Sequence, residues 1–263
     1  MNLKNKVVWI TGASSGIGEA VTYKMNQLGA KLIISSRKSE ALYKVKGNCK
    51  GNPLDIHVLP LDLENTLSLP EIAAAAAKIY GHIDMIIHSG GVSQRSLAIE
   101  TDINVAQRIM DINFWGAVSL TQAILPGMIT KNSGHIVIIS SLVGKFGTKF
   151  RSAYSASKHA LHGYFDSLRT EILPEIKITI ICPGFIKTNV TYNALTADGT
   201  RQNSLDDAQA NGMSAFECAE EIVKAIQGWK QEVYIGGREK YGVLIKRFFP
   251  GLFAKIIRKA KVT

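Results

Sequence analysis

Short apolar runs alternate along the chain with longer segments whose apolar residues recur every three or four positions. The runs predict buried strands, and the periodic segments predict helices that pack on them. Seven runs are strand-like, namely residues 6–10, 31–35, 55–61, 83–87, 135–141, 176–181 and 232–235. Strands that alternate with helices in this way predict an α/β fold in a single domain, with a doubly wound parallel sheet and helices on both faces.

The helical periodicity covers residues 17–28, 70–80, 101–128, 152–173 and 213–226. The first helix is expected to stop at Gly29, and the last to begin at a capping box formed by Ser214 and Glu217. Residues 185–213, which precede that last helix, are polar and weakly periodic. Because a loop of this length in a compact domain is usually functional, we expect it to cover a binding site.

A glycine-rich turn joins the first strand to the first helix. Gly12 permits a tight turn, while Gly16 and Gly18 let the backbone approach a ligand at the start of the helix. Free N–H groups and the helix dipole favour an anion there, so the turn predicts a dinucleotide pyrophosphate site, with a simple strand-to-helix turn as the alternative. The predicted contacts are Gly12, Ser14, Ser15, Gly16, Ile17 and Gly18.

The second strand ends without the acidic residue that often binds the ribose hydroxyls of NAD. Arg37 and Lys38 follow it instead, and a guanidinium suits the 2′-phosphate of NADP. The pattern therefore favours NADP over NAD, unless both cations are merely solvated at a helix start.

Further cofactor contacts are expected after the third and fourth strands. Asp62, followed by Leu63, either accepts a hydrogen bond from the adenine amine or caps the next helix. Gly90 and Gly91 suggest that the backbone closely approaches a ligand.

Tyr154 and Lys158 lie one turn apart on the same face of a predicted helix. Ser141 ends the fifth predicted strand, which brings a hydroxyl near the phenol and the ammonium. Together these groups could pass a proton to or from a carbonyl or alcohol oxygen. Chance alone can supply one such pair in a chain with 8 Tyr. Asn113 is an amide in an apolar helical setting, where it either bends the helix by bonding to backbone or lies at the surface.

The net charge of +10 is uneven, because residues 238–261 carry eight Lys/Arg and one Glu. This argues against a protein that binds nucleic acid along its whole surface, and we expect no nucleic-acid partner. Residues 241–263 form a basic, amphipathic helical tail after a main domain of residues 1–240, and Pro250-Gly251 divides the tail into two short helices. Such a tail, through residues 241–261, either contacts an anionic membrane or packs on a neighbouring subunit or over the site.

The three cysteines, Cys49, Cys182 and Cys218, are odd in number and widely spaced. They predict neither a disulfide framework nor a metal site, and they indicate a reducing compartment. The sequence has no run of eighteen apolar residues and no signal-peptide pattern. We therefore expect a cytoplasmic protein, or one held peripherally at the inner membrane surface.

In this order and spacing, the motifs resemble those of the short-chain dehydrogenase/reductase family over nearly the whole chain. The resemblance includes Pro183-Gly184 and implies a Rossmann-type fold. It implies a catalytic group of Asn113, Ser141, Tyr154 and Lys158. It also implies that Ile186 and Thr188 contact the nicotinamide end of NADP(H), and that the chain forms a homodimer or homotetramer.

One departure is His88-Ser89-Gly90-Gly91, where the family commonly has Asn-Asn-Ala-Gly. Residues 91–96 and the basic tail resemble the member-7 branch, whose relatives act on steroids, retinoids and other lipophilic carbonyls. The loop has few charges, which predicts no dedicated clamp for a phosphate or carboxylate.

The resemblance implies hydride transfer between NADP(H) and a carbonyl/alcohol pair. Tyr154 would then be the general acid or base, with its pKa lowered by Lys158 and the nicotinamide charge. Ser141 would polarise the substrate oxygen, and Asn113 would hold a water that links Lys158 to solvent. The alternatives are a 3-oxoacyl-carrier-protein-type reductase and a non-catalytic, NADP-sensing, membrane-peripheral protein.

Overall fold

A computed structural model describes residues 1–204 and 206–260. Seven parallel strands form one sheet, namely β1 (Val7–Thr11), β2 (Lys31–Ser35), β3 (Ile56–Val58), β4 (Met85–His88), β5 (Gly134–Ile139), β6 (Ile176–Pro183) and β9 (Glu232–Ile235). Their order in the sheet is β3-β2-β1-β4-β5-β6-β9. The predicted doubly wound sheet is confirmed. The strand order reverses direction between β1 and β4, which is where open α/β sheets bind ligands.

Strands β3, β5 and β6 end at residues other than those predicted. β3 lies at the sheet edge and stops at Val58, two residues before Pro60, which has no N–H to donate to a ladder. β6 continues to Pro183 because β9 pairs alongside it as far as Ile235. β5 ends at Ile139, so Ser141 lies two residues beyond the strand that was predicted to contain it.

Helices cover both faces of the sheet and bury two apolar clusters. On one face lie α3 (Leu69–Tyr80), α5 (Gly116–Lys131) and α6 (Ser152–Glu171), and on the other lie α1 (Gly16–Gln27), α2 (Ser39–Asn48) and α8 (Ala215–Gln227). Neighbouring strand residues alternate between the clusters, as Val7 and Val8 do. The capping box of Ser214 and Glu217 is confirmed at α8. The pattern of apolar residues did not predict α2.

The predicted helix at 101–128 is two helices joined by a wider turn. α4 (Ile103–Met110) precedes α5, and a π-helical turn, Asp111–Trp115, lies between them. The whole stretch Ile103–Lys131 is apolar and long enough to cross a membrane, although 56% of its most apolar window is buried inside the protein. It packs between α3 and α6 against the sheet, as a core helix does. The sequence prediction considered only uninterrupted runs of apolar residues, whereas this stretch reaches spanning length and apolarity on average.

The polar segment predicted as a loop at 185–213 contains regular structure in its described part. β7 (Ile186–Lys187) pairs with β8 (Met213–Ser214), and α7 (Asp207–Ala210) precedes β8. Leu195 forms bridges with Gln94 and Arg201. The segment is therefore held against the chain that follows β4. We call residues 185–213 the substrate loop.

The predicted division of the tail is confirmed within the described residues. Phe249 alone separates α9 (Gly242–Phe248) from α10 (Pro250–Lys259). Pro250 is the first residue of α10, where the missing N–H has no intrahelical partner to lose. Residues 261–263 of the predicted tail lie outside the described part of the chain.

Candidate active site

A cavity of about 1070 Å³ lies at the carboxyl ends of the strands. It extends from the glycine turn to the substrate loop and the tail. Of the predicted site residues, all but Asn113 line it, namely Gly12, Ser14, Ser15, Gly16, Ile17, Gly18, Arg37, Lys38, Asp62, Leu63, Gly90, Gly91, Ser141, Tyr154, Lys158, Pro183, Gly184, Ile186 and Thr188. The fold thus brings together residues that are far apart in sequence.

The glycine turn leaves the N-terminus of α1 open to the cavity. Ser15 precedes the helix without capping it through its side chain, so backbone N–H groups of the first turn have no side-chain partner there. Gly12 has φ +68°, and a Cβ there would lie 2.6 Å from Gly90. A Cβ at Gly18 would lie 2.3 Å from the carbonyl oxygen of Gly12. Packing of the turn itself therefore requires a glycine at position 18, and Gly18 also lines the cavity, so close approach to a ligand there stays a prediction.

The cationic residues after β2 line the cavity. Arg37 is about half-exposed, and its guanidinium nitrogens lie 4.0 Å from Asp62 and 4.0 Å from Glu64. Asp62 accepts a hydrogen bond from the N–H of Glu64 at 3.1 Å, within a turn. Because α3 begins only at Leu69, the alternative that Asp62 caps the next helix was wrong. Lys38 lies at the start of α2 and also lines the cavity.

The glycines after β4 lie between the cavity and the packed protein. A Cβ at Gly90 would lie 2.4 Å from a methyl of Leu63, and one at Gly91 would lie 3.0 Å from the Asn113 amide oxygen. Packing therefore accounts for both glycines, and close approach to a ligand stays a prediction. His88 is buried, its Nε2 lies 2.9 Å from Thr121 Oγ1, and burial lowers its pKa to about 3. The neutral imidazole therefore ties β4 to α5.

Tyr154 lies in the first turn of α6, and a residue missed from the sequence supports that turn. Gln94 is fully buried, and its Oε1 accepts hydrogen bonds from the N–H groups of Ala153 (2.8 Å) and Tyr154 (3.3 Å). Its Nε2 donates to hydroxyls that include Thr101 Oγ1 at 2.8 Å and Ser152 Oγ at 3.2 Å. Gln94 thereby does from a distance what an N-cap side chain does locally. The 59-residue separation from Ala153 hides this contact from sequence patterns.

Burial raises the pKa of Tyr154, and this outweighs the lowering by the Ser141 hydroxyl and the charges of Arg151 and Arg95. Lys158 is not among the groups that lower it. Its Nζ donates to the carbonyl of Ile139 at 2.9 Å and lies 5.8 Å from the centre of the Tyr154 ring. Burial lowers the pKa of Lys158 to about 8. The pKa of Tyr154 is thus raised rather than lowered as expected, because desolvation of the phenol outweighs the groups that favour its charged form.

Asn113 lies in the π-helical turn behind the cavity and is 2% exposed. Its Oδ1 accepts from Val92 N–H at 2.8 Å, and its Nδ2 donates to Val92 O and Ser157 Oγ. The surface alternative was therefore wrong, and the amide bonds the backbone of another segment. Because Ser157 belongs to α6, Asn113 links the chain after β4 to the helix that carries Tyr154 and Lys158.

Ser141 begins the turn after β5. Its Oγ accepts from Val143 N–H and donates to Pro183 O, both at 3.3 Å. Behind it, His162 Nε2 lies 3.1 Å from Ser140 Oγ and 3.6 Å from Cys182 Sγ. The sequence did not suggest that a histidine and a cysteine meet here.

Glu232 completes this cluster on β9. Its carboxylate lies 3.3 Å from His162 Nδ1 and 2.6 Å from Lys145 Nζ. Burial raises the pKa of Glu232, but His162, Lys145 and Tyr234 lower it by more than burial raises it. The resulting pKa is about 2. The His162, Cys182 and Glu232 ligand atoms lie within 4.8 Å of one another, but the Lys145 ammonium already neutralises the carboxylate. The cluster therefore supports the strand ends behind Ser141.

Two arginines line the cavity, and the low charge of the substrate loop did not predict them. Arg95 donates through Nε and Nη2 to Asp206 Oδ2, at 2.9 and 2.6 Å. Arg151, just before α6, donates to the same oxygen at 3.2 Å. All three side chains are at most 6% exposed. A loop carboxylate is thus held between two cations beside Tyr154, which ties the substrate loop to the start of α6.

A family model described as short chain dehydrogenase matches residues 6–198. A mouse protein named dehydrogenase/reductase SDR family member 7B is 39% identical over 261 residues, covering 97% of this chain and 81% of that protein. Human dehydrogenase/reductase SDR family member 7 is 38% identical over 239 residues, covering 89% and 70%. The chain belongs to the short-chain dehydrogenase/reductase family. It is an oxidoreductase of that family, and the likeness to the member-7 branch is confirmed.

Solved structures of this short-chain dehydrogenase/reductase fold superpose on most of the chain. One from Burkholderia phymatum, in complex with NAD, has a TM-score of 0.85 at 21% identity and covers 96% of each chain. One from Burkholderia cenocepacia J2315, in complex with NADP, has a TM-score of 0.81 at 20% identity and covers 99% and 100%. At such identities the likeness shows the fold.

Proposed function

We propose that this short-chain dehydrogenase/reductase transfers a hydride between NADP(H) and a lipophilic carbonyl/alcohol substrate. The observation that carries the proposal is that Ser141, Tyr154 and Lys158 line the same cavity as the uncapped N-terminus of α1. A phenol, a hydroxyl and an ammonium beside an anion-binding helix end are the groups that such a reaction requires.

The residues present fit a dinucleotide. The open N-terminus of α1 would hold the pyrophosphate, and Arg37 with Lys38 would bind the 2′-phosphate, which favours NADP(H) over NAD(H). Pro183, Gly184, Ile186 and Thr188 would border the nicotinamide, whose chemistry when bound is to accept or donate a hydride. The solved NAD and NADP complexes of the same fold support a cofactor in this position.

Tyr154 would donate a proton to the substrate oxygen during reduction and accept it during oxidation. The Ser141 hydroxyl would hold that oxygen, since it lies in the turn after β5 and lowers the pKa of Tyr154 by hydrogen bonding. Lys158 is oriented by the hydrogen bond that its Nζ donates to Ile139 O. It would bind the nicotinamide ribose and take part in proton transfer between Tyr154 and solvent. Asn113 would act by fixing Val92 and Ser157, and any water it holds would meet its one unused acceptor position.

A lipophilic substrate fits the walls of the cavity beyond Tyr154. Leu142, Val143 and Phe146 come from the turn after Ser141, and Val190 with Leu195 come from the substrate loop. Apolar walls with few converging polar groups select substrates by shape and hydrophobic contact. Polar side chains line the cavity too, but the two arginines among them that lie beside Tyr154, Arg95 and Arg151, are already bonded to Asp206.

Residues 1–240 would form the catalytic domain, and the tail would serve it as a separate element in peripheral contact with an anionic membrane at the cytoplasmic face. The helices that carry Asn113 and Tyr154 would pair subunits in a homodimer or homotetramer. Ile103 and Trp115, at 69% and 50% exposed, supply apolar surface for that pairing.

Tyr154→Phe is the experiment that tests the reaction. Removing the hydroxyl takes away the proton donor while keeping the ring, so turnover should fall by at least about 100-fold with NADPH affinity unchanged. The measurements are NADPH consumption with a panel of lipophilic ketones and aldehydes, and fluorescence titration with NADPH. Near-normal turnover by Tyr154→Phe would refute the assignment. Tight NADPH binding without turnover of any carbonyl by the wild type would instead indicate a cofactor-sensing protein.

A further inference from the structure

The tail presents one apolar face to the protein. Phe253 is buried, with its ring centre 5.1 Å from that of Phe146 in the cavity wall. Val243, Ile245 and Ile257 pack on the same apolar cluster. The spacing of Phe253 and Ile257 places both on one side of α10. α9 and α10 therefore close one end of the substrate cavity with their inner face.

The tail also has a second apolar face, which is exposed. Leu244, Phe248, Phe249 and Leu252 are 50%, 65%, 63% and 54% exposed. Leu244 and Phe248 lie one turn apart on α9, so the exposed side chains form a contiguous stripe across the turn at Phe249. Single exposed apolar residues are ordinary, but a clustered set of large ones marks an interaction surface.

Cations surround this stripe. Lys246, Arg247, Lys255, Arg258 and Lys259 are all exposed, and residues 242–260 contain no Asp or Glu. Within the described part of the chain, none of the five lies within ion-pair distance of a carboxylate. Lys246 donates to the carbonyl of Lys145. The surface thus combines exposed apolar side chains with uncompensated positive charge.

The exposed face and the cavity meet at the edge of α10. Ile256 lines the cavity and is 45% exposed, and Ala260, one turn further on, also lines the cavity. The segment just before the tail is fixed to the site as well, because Glu239 Oε1 accepts hydrogen bonds from Phe185 N–H (3.2 Å) and Gly237 N–H (3.0 Å). An apolar path therefore runs from the outer stripe, over Ile256, into the space beside Phe253.

We propose that the outer face of α9 and α10 seats the protein on an anionic lipid bilayer, with the cavity mouth at Ile256 facing the lipid, so that lipophilic substrate enters directly from the bilayer. Apolar side chains insert at the boundary between headgroups and acyl chains, while the cations bind lipid phosphates. The entry step rests on the proposed carbonyl/alcohol reaction, whereas the seating step does not.

Charge favours a bilayer over a second copy of the chain. Pairing two copies through this face would bring five cations of one copy against five of the other, with no carboxylate between residues 242 and 260 to compensate them. An acidic protein partner would satisfy the cations but would leave the large exposed phenylalanines without a specific pocket. An anionic bilayer satisfies both features at once.

The seating is tested by sedimentation of the full chain with phosphatidylcholine vesicles, with and without phosphatidylserine. Each cation at such a surface contributes about 1 kcal/mol, so Lys255→Gln/Arg258→Gln should weaken binding to anionic vesicles about 30-fold. Lys44→Gln/Lys50→Gln, exposed and distant from the tail in sequence, makes the same charge change and should bind as the wild type does. Equal binding of the wild type to neutral and anionic vesicles would overturn the proposal. So would an equal loss of vesicle binding in the tail variant and in the Lys44→Gln/Lys50→Gln control.

The apolar stripe is tested by Phe248→Asp/Phe249→Asp, since neither residue lines the cavity. This variant should lose vesicle binding, while Leu67→Asp/Ile99→Asp, at positions that are each 93% exposed, should keep it. If gel filtration instead shows a wild-type dimer that Phe248→Asp/Phe249→Asp converts to a monomer, the face pairs two copies and the proposal fails.

Substrate entry is tested by comparing a long-chain ketone dissolved in anionic vesicles with a water-soluble ketone. Phe248→Asp/Phe249→Asp should reduce turnover of the vesicle-borne ketone at least about tenfold and leave turnover of the soluble ketone unchanged. If Phe248→Asp/Phe249→Asp turned over the vesicle-borne ketone as fast as the wild type does, entry from the bilayer would be overturned. The seating step would still be decided by sedimentation. Vesicle binding without turnover of any carbonyl would reject the proposed reaction and leave the seating supported.

Discussion

Arg37 is the residue on which the proposed cofactor preference depends. Its guanidinium lies at 4.0 Å from each of two carboxylates, Asp62 and Glu64, and is about half-exposed. Exposed pairs at this distance contribute little, so the carboxylates orient the side chain without occupying its donors. A 2′-phosphate would meet a guanidinium that is already held over the cavity.

Arg37→Asp should therefore reverse the preference between NADPH and NADH. A hydrogen bond to a charged group contributes about 1.5–3 kcal/mol, so the ratio of kcat/KM for the two cofactors should shift by at least about tenfold. Lys44→Asp, on an exposed position of α2, is the matched control. An unchanged ratio would mean that the 2′-phosphate binds elsewhere.

At the scale of elements, the start of α6 is built from three parts of the chain. Gln94 caps it, Arg151 precedes it, and Asn113 bonds Ser157 within it. The capping side chain comes from the segment after β4, whose next residue, Arg95, holds the substrate loop through Asp206. A shift in either segment would therefore move Tyr154.

Gln94→Leu should lower kcat more than it raises the KM for NADPH, because it leaves the N–H groups of Ala153 and Tyr154 without an acceptor. Unfolding should also become easier by about 1–3 kcal/mol, the cost of buried unpaired groups. Gln94→Glu keeps the acceptor and places a negative charge at a helix N-terminus, so it should recover most of the kcat. The measurements are steady-state kinetics and urea unfolding. An equal loss of kcat in Gln94→Leu and Gln94→Glu would argue against a positioning role for Gln94.

The sequence predicted the strands, most helices and the membership of the cavity wall, because burial periodicity and glycine turns are local properties. The sequence did not predict contacts between residues that are far apart along the chain. The Arg95–Asp206 pair spans 111 residues, and the Gln94 cap spans 59. It also did not show that packing requires Gly18 and Gly90, since a glycine required by packing has the same sequence signature as one required by a ligand.

At the scale of the whole molecule, buried histidines couple stability to pH. Burial lowers the pKa of both His88 and His135 to about 3, whereas an unfolded histidine has its ordinary value near 6.5. Below that ordinary value the unfolded chain binds protons that the folded protein does not. Stability is therefore full above about pH 6.5 and is lost as the pH falls toward 3, by about 1.4 kcal/mol per pH unit for each group.

His88→Asn should flatten this dependence by up to about 1.4 kcal/mol per pH unit, since the amide keeps a partner for Thr121 but does not titrate. Urea unfolding between pH 5 and 7 measures the slope, and His57→Asn at an exposed position is the control. A slope that is the same in His88→Asn and the wild type would show that other groups set the acid limit.

The π-helical turn at Asp111–Trp115 constrains which changes in chain length the molecule tolerates. A π-helical turn holds about one residue more than an α-helical turn, so deleting one residue here would let the chain close into a continuous α-helix with α4 and α5 still packed as they are. A deletion from the regular part of α4 or α5 would instead rotate one helix relative to the other by about 100°. What the deletion in the π-helical turn would remove is the position of Asn113 against Val92 and Ser157. We therefore expect this turn to keep its extra residue, whereas exposed positions of the substrate loop, such as those around Gly199, can vary in length without displacing a site residue.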